Sequence, residues 1–456
     1  MRKNQFLYFY ILYGCLAFSL FGCAKGATTA NIRETKSTVI PISEALDNLD
    51  HMMSQLEMPT TKTSSCVASI LSFGGKSIKT KGLSDNYNLP DTLLYLVNFD
   101  KNGYAVLSAD NRIGNVVYCI TEDGSIDLDD LEEVLKTHTE YDNNVLACDS
   151  TDVFDSMGPS FVHTLLIYNA LSDFNRCGDE GGGENSDDTD EDDNPLPYPE
   201  DDISGPTSDI TVKPMVKTRW GQSFTPFNTL TPHNFPAGCV CIAVAQILVA
   251  NKYATNMLFD GTVCNWDDME SVYNCNDPNN YYSTWDANNQ VSHFVYELGK
   301  SGYCNISYGA KESSGYDSDA RDTFRKLGYT NVHRFWHPLE LTSDNKDRIF
   351  RMLHRGLSVY ISASRWKSRG IDKEGHAWII DGFTRGTTMN DCAYYYYHCN
   401  WGWGGTSNGY FKVECFDTEK RDRIEEGIDD GTAITQQKLH YDFNYTIIDY
   451  HKPDEE

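Results

Sequence analysis

Several things that whole classes of protein need are scarce in this chain. Only 38 of its 456 residues are Lys or Arg, against 66 Asp or Glu, so the net charge is −28. A general binder of phosphate backbones is thereby excluded. Prolines number only 15 while hydrophobic residues make up 40%, which rules out a collagen-like, fibrous or mostly disordered chain. No internal stretch is long and apolar enough to span a bilayer, so the chain is not a polytopic membrane protein. Cysteines are plentiful at 14, yet no two stand in a CxxC spacing. Cys239-x-Cys241 alone is weak evidence for zinc, and neither a metal nor a cofactor is expected. What is present is length: at ~100–200 residues per domain, two or three globular units are expected.

The amino terminus reads as an address. Arg2 and Lys3 precede an almost unbroken apolar run from Phe6 to Phe21, closed by Gly22-Cys23. This is the pattern of a secretory signal peptide over 1–22. It resembles a bacterial lipoprotein signal, in which Cys23 is lipidated after cleavage, and implies a cell-envelope or secreted protein. Export permits disulfides, though the scatter of the cysteines argues against a dense disulfide framework.

Charge divides the chain. Residues 1–210 hold 13 bases and 35 acids, whereas 211–456 hold 25 and 31. Much of the excess sits in GDEGGGENSDDTDEDDNPLPYPEDDI, residues 178–203, with 12 acids and no base. Such a run repels itself and cannot bury a core, so 177–210 reads as a linker. Before it, 30–176 reads as a small α+β domain. Ile42 to Met58 has helical periodicity, and Asn102-Gly103 joins two β-rich runs, 95–99 and 104–108, as a hairpin. A strand is expected over 116–120 and a helix over 161–174. After the linker, GCVCIAVAQILVANKY at 238–253 is apolar all round, the mark of a helix buried in the middle of a domain. Helices over 317–327 and 344–354 and strands over 358–363, 377–381, 393–399 and 410–413 make 211–456 an α+β domain as well. Four tyrosines, Tyr394 to Tyr397, alternate faces of one strand and read as packing.

Chemistry concentrates in this second domain. Cys239 opens the buried helix, where unpaired N–H groups favour a thiolate, and Gly238 before it admits a close backbone. His376 begins the apolar strand GHAWIIDG, 137 residues on, and Asn400 leads NWGWGG, 161 residues on. Cys, His and Asn in that order form the papain-type sequence of nucleophile, base and orienting amide. Cys241 is a rival nucleophile, but two residues turn a helix by ~200°, which points it away from the face Cys239 uses.

These motifs resemble the streptopain family of papain-like cysteine proteases, bacterial exported enzymes made as inactive precursors. The likeness is carried by WGQSFTPFN at 220–228, GCVCIAVAQI at 238–247, SYGAKESSGY at 307–316, GHAWIIDG at 375–382 and NWGWGGTSNGYF at 400–411. LVNFDKNGYAVLSADNR at 96–112 is similar to that family's inhibitory propeptide. The resemblance implies a papain-like catalytic domain over 211–456 and an inhibitory prodomain over 30–176, released by cleavage in the linker. It casts Cys239 as nucleophile, His376 as base, Gln222 as oxyanion donor and Asn400 as the group orienting His376. Trp401 would shield that contact, and Ser314 and Gly375 would touch substrate. Protein or peptide substrates and the prodomain itself are the implied partners, with no nucleic acid. Two other readings keep parts of this set: a transglutaminase-like or amidase activity on the same Cys–His pair, and a non-catalytic surface lipoprotein on a protease fold.

Overall fold

A computed structural model of the chain describes residues 38–58, 67–143, 158–178, 211–255, 264–274, 284–337, 341–366, 373–387, 389, 393–416 and 444–453. The leader, Cys23 and most of the acidic linker, 179–210, lie outside the described residues, so those expectations have no structural counterpart here.

In chain order the first half contains α1 (Ile42–Gln55), β1 (Val67–Phe73), α2 (Leu83–Asn86), β2 (Leu94–Phe99), β3 (Tyr104–Ser108), β4 (Val117–Thr121), α3 (Leu128–Asn143) and α4 (Pro159–Gly178). The second half begins with β5 (Thr211–Val212), α5 (Cys239–Asn251), α6 (Trp266–Ser271), α7 (Trp285–Gly299), α8 (Asp317–Lys326), β6 (Thr330–His337) and α9 (Ser343–His354). It ends with β7 (Val359–Trp366), β8 (Lys373–Thr387), β9 (Ala393–Asn400), β10 (Gly409–Lys412) and β11 (Asn444–His451). Most of its helices precede most of its antiparallel strands, so this half has the expected α+β arrangement.

Local chemistry accounts for the main elements. Gly103, at φ 91, turns the β2–β3 hairpin, whose register pairs Asn98 with Tyr104 and Leu94 with Ser108. A side chain at Gly103 would meet the Thr121 carbonyl at 2.3 Å, so only glycine fits there. Helix α5 is buried from Val240 to Val249 and stops where Lys252 adopts a left-handed conformation at φ 49. Helices α7 and α9 start on threonine caps, Thr284 and Thr342, whose side chains accept from the amides of Ala287 and Asn345.

Among the described residues the strands form one antiparallel sheet in the order β1-β2-β3-β4-β10-β9-β8-β7-β11-β6, with β5 added on β8. The two halves of the chain meet inside this sheet, where β4 pairs with β10 through Thr121–Gly409, Ile120–Tyr410 and Cys119–Phe411. One face carries a large core in which Tyr118 and Leu166 of the first half lie with Trp378, Trp401 and Phe416 of the second. The other face carries a smaller core under α1, built on Leu49, Met52 and Met53. Burying each of those three side chains stabilises by roughly 1.5–3 kcal/mol. Tyr396 belongs to the smaller core and Tyr397 to the larger, so the tyrosine run does pack on both faces. No helix among the described residues is long and apolar enough to cross a membrane.

Candidate active site

Cys239 is the first residue of α5 and is half-buried. Gly238 before it has φ 90, and a side chain there would press on Ile306 at 3.3 Å. Glycine therefore sets the sharp entry that aims the thiol. Burial raises the Cys239 thiol; hydrogen bonds from the amides of Ala377 and Val240 lower it, and the charge of Asp317 raises it again. The balance leaves it at about 11. The Ala377 amide belongs to the residue after His376, so β8 brings the candidate base alongside α5.

His376 is buried, and burial pushes its imidazole down to about 4, against a favourable hydrogen bond to Trp401. Its Nε2 lies 2.8 Å from the Trp401 carbonyl oxygen. A carbonyl only accepts, so Nε2 carries the hydrogen and Nδ1 is the free base of the neutral ring. The ring stacks on Trp403 at 4.6 Å and faces Trp378 and Trp401 at 6.2 and 6.3 Å. A further aromatic neighbour comes from the other half of the chain: Phe161, in the first turn of α4, lies 6.2 Å away. The same phenyl ring touches Trp378 at 5.7 Å and Trp401 at 5.8 Å. Among the described residues no hydrogen bond joins Cys239 to His376. With the thiol high and the imidazole low, both groups are neutral at pH 7.

The other expected residues divide into those brought to this centre and those placed behind it. Gln222 lies between the Trp401–Gly404 turn and the entry to α5. Its amide nitrogen donates to the Gly402 carbonyl at 3.3 Å and its carbonyl accepts from Ala237 at 2.7 Å. Among the described residues its side chain has no hydrogen-bond partner. Ser314 is exposed on a loop bridged to Ser307, and the neighbouring Ser313 carbonyl is 3.5 Å from where a Gly238 side chain would begin. Gly375 is exposed on β8, opposite Ser364.

Asn400 differs from its expected contact. Its Nδ2 donates to the Thr218 carbonyl at 2.8 Å and to Gln246 Oε1 at 3.4 Å, while its Oδ1 accepts from the Gly402 amide at 3.3 Å. The hydrogen-bond acceptor on His376 is instead the backbone of the next residue, Trp401, because β9 ends at Asn400 and the chain turns its carbonyls toward the ring. Trp401 is fully buried, stacked on Trp378 at 4.9 Å. Cys241 faces away from Cys239, as helical geometry requires, and its Sγ donates to the Val295 carbonyl of α7 at 3.3 Å.

Two features escaped sequence reasoning. Gln246 is fully buried seven residues after Cys239, two helical turns along and so on the same face. Its Oε1 accepts from Thr218 Oγ1 at 2.9 Å and from the Trp220 amide at 3.0 Å, tying the segment before Gln222 to the Asn400 turn. A lone polar residue in an apolar helix was its signal. The second is a charge cluster beside the β4–β10 seam, with His398 and Asp381 buried and the other members half-buried. His398 Nδ1 is 2.5 Å from Asp381 and its Nε2 is 3.5 Å from Glu122, which follows β4. Arg219 also reaches Glu122 and Asp123, at 3.6 and 3.8 Å. No group of three or more metal-binding side chains occurs among the described residues.

The family model described as the Peptidase C10 family matches residues 220–411, which include Gln222, Cys239, His376 and Asn400. Streptopain of Streptococcus pyogenes is 26% identical over 223 residues, covering 41% of this chain and 52% of that protein. The chain thus spans about half the length of the curated streptopains it matches. The thiol protease/hemagglutinin PrtT of Porphyromonas gingivalis is 26% identical over 272 residues, covering 51% of this chain and 28% of that protein. Among solved structures, a prointerpain A fragment from Prevotella intermedia overlays with a TM-score of 0.44 at 19% identity, covering 79% of this chain and 96% of that one.

Proposed function

Because residues 220–411 belong to the peptidase C10, or streptopain, family of cysteine peptidases, we propose that the chain is an exported cysteine endopeptidase made as an inactive precursor. The observation that carries the reading is Cys239 at the start of a helix that packs on β8, the strand that carries His376. In the active form, His376 Nδ1 takes the thiol proton while Nε2–H stays on the Trp401 carbonyl. That carbonyl fills the orienting role that an asparagine side chain has in the papain-type order. The helix terminus favours the resulting thiolate.

The thiolate attacks a peptide carbonyl, and the oxyanion is held by the Cys239 amide and the unengaged Gln222 side chain. Such a donor is worth roughly 2.7–4 kcal/mol where charge develops in the transition state. His376 then protonates the departing amine, and water hydrolyses the acyl-enzyme. Ser314 and Gly375 flank the cleft as backbone contacts for the acyl side of the substrate. Export rests on the leader over 1–22, with Cys23 as the lipid-bearing residue at the cell envelope.

Inactivity of the precursor is supported by the neutral state of both groups and by Phe161 of the amino-terminal half, 6.2 Å from His376. Residues 30–176 act as the inhibitor, and cleavage in 177–210 releases it. The test is hydrolysis of a fluorogenic peptide, with labelling by an epoxide thiol probe, in the full chain before and after incubation under reducing conditions. Activity and labelling that rise on processing and vanish in Cys239→Ala are expected. Hydrolysis that survives Cys239→Ala, or an uncut chain already fully active, overturns the corresponding half of the proposal.

A further inference from the structure

Phe224, two residues after Gln222, is 49% exposed. It is seated by design of the backbone beneath it. A side chain on Gly221 would begin 2.2 Å from the Phe224 ring, and one on Gly404 would begin 2.7 Å from it. The ring therefore lies directly on two glycines that leave it room, and turns its remaining surface to solvent. Those glycines belong to the base side of the cleft. Gly221 pairs with Trp403, and the Gly404 amide donates to the Trp220 carbonyl at 3.2 Å. Trp403 in turn stacks on His376 at 4.6 Å. An unbroken strip thus runs from His376 through Trp403 and the two glycines to Phe224, with Gln222 set between the last two.

This placement has a chemical consequence that follows from the proposed function. The group that protonates the leaving amine is His376, so the half of the substrate that departs with that amine lies along the imidazole side. We propose that Phe224 forms the subsite for the residue immediately after the scissile bond and selects an apolar or aromatic side chain there. A polar side chain at that position gains nothing from the phenyl face, whereas an apolar one removes the exposed ring from water. Discrimination by a single apolar contact is typically about 10- to 200-fold.

The test compares internally quenched peptides that differ only in the residue after the scissile bond, Leu against Ser, with a peptidyl-coumarin amide that has no residue there. The full chain is used after incubation under reducing conditions. Wild type is expected to favour the Leu peptide about tenfold or more in kcat/KM. In Phe224→Ala the Leu peptide should lose about tenfold relative to the coumarin amide, bringing the Leu and Ser peptides within about threefold. Phe224→Leu, which keeps apolar volume, should restore most of the preference. Equal losses on the Leu peptide and the coumarin amide, or a Leu preference that survives Phe224→Ala, overturn the subsite. A wild-type chain that cleaves none of the three substrates overturns the peptidase reading itself, which the coumarin amide reports separately.

Discussion

Phe161→Ala probes how the amino-terminal half silences the site. The ring is buried, with Trp378, Trp401 and His376 at 5.7, 5.8 and 6.2 Å. Removing a buried phenyl typically costs about 3–5 kcal/mol. Part of this is felt in global stability, and part in the docking of α4, because the wall it packs on belongs to the other half of the chain. If roughly 2 kcal/mol falls on docking, the undocked fraction of the precursor rises about 30-fold, at 1.36 kcal/mol per tenfold. The readout is the alkylation rate of Cys239 in uncut chain, followed by mass spectrometry of its peptide. In the docked state the thiol sits at about 11, so at pH 7 only about one molecule in 10⁴ is thiolate, the reactive form. Undocking that lets His376 meet Cys239 should raise the rate about as much as the undocked fraction, and Phe161→Leu should have a smaller effect. A variant that melts several degrees lower but alkylates at the wild-type rate refutes the reasoning, because Phe161 would then stabilise the fold without gating the site.

Other outcomes follow from the same geometry. Two of the buried histidines, His398 and His376, should give the precursor opposite pH limbs. Burial disfavours the His398 cation, but Asp381 and Glu122 outweigh it and push its pKa to about 10, so its contribution is complete below ~6.5 and lost as pH rises through about 10. Burial holds His376 at about 4, so its contribution is complete above ~6.5 and lost as pH falls toward 4. Melting temperature against pH should therefore flatten on the alkaline side in His398→Gln and on the acid side in His376→Ala; unchanged profiles would contradict the assignment. Gln246→Ala strands the buried Trp220 amide, a loss of roughly 1–3 kcal/mol, and should lower kcat through Gln222 more than it raises KM, as steady-state kinetics will show. Gly238→Ala forces a side chain into φ 90 and against Ile306; peptidase activity should fall at least tenfold, and wild-type kinetics in this variant would remove Gly238 from the entry to α5.

The fold was legible where one element carries one strong signal. The all-apolar run became α5, Asn-Gly became the β2–β3 turn, and the helices expected from 317 and 344 became α8 and α9, each within a residue or two. The unanticipated elements are those whose pattern is diluted. Helix α7 reads WDANNQVSHFVYELG, with polar residues through its first two turns, and is fixed by the Thr284 cap and by packing on α5. Strand β6 is mostly exposed or half-buried, with Val332 buried, and takes its place at the edge of the sheet from pairing with β11. Because that pairing is made between distant segments, neither strand announces it alone. The seam between β4 and β10 is illegible for the same reason: three residue pairs join halves that charge and composition had separated.

The candidate site shows the limit differently. Residue types and chain order named Cys239 and His376, and the buried helix with its glycine entry placed one of them correctly in the fold. The ionisation of the pair, however, is a property of neighbours contributed by other segments. Phe161, 215 residues before His376, helps to bury the imidazole, and Asp317 adds its charge to the burial that raises the thiol. Likewise the His376 hydrogen-bond acceptor is a backbone carbonyl, which every residue has and no motif can single out. Asn400, the side chain that a motif does single out, is held by Thr218 and Gln246. Its place in the motif is thus explained by fixing the turn that presents the Trp401 carbonyl. A substitution there acts on His376 through the backbone: Asn400→Asp keeps an acceptor for the Gly402 amide but replaces the donor to Thr218, so the orienting carbonyl shifts although no atom bonded to the imidazole has changed.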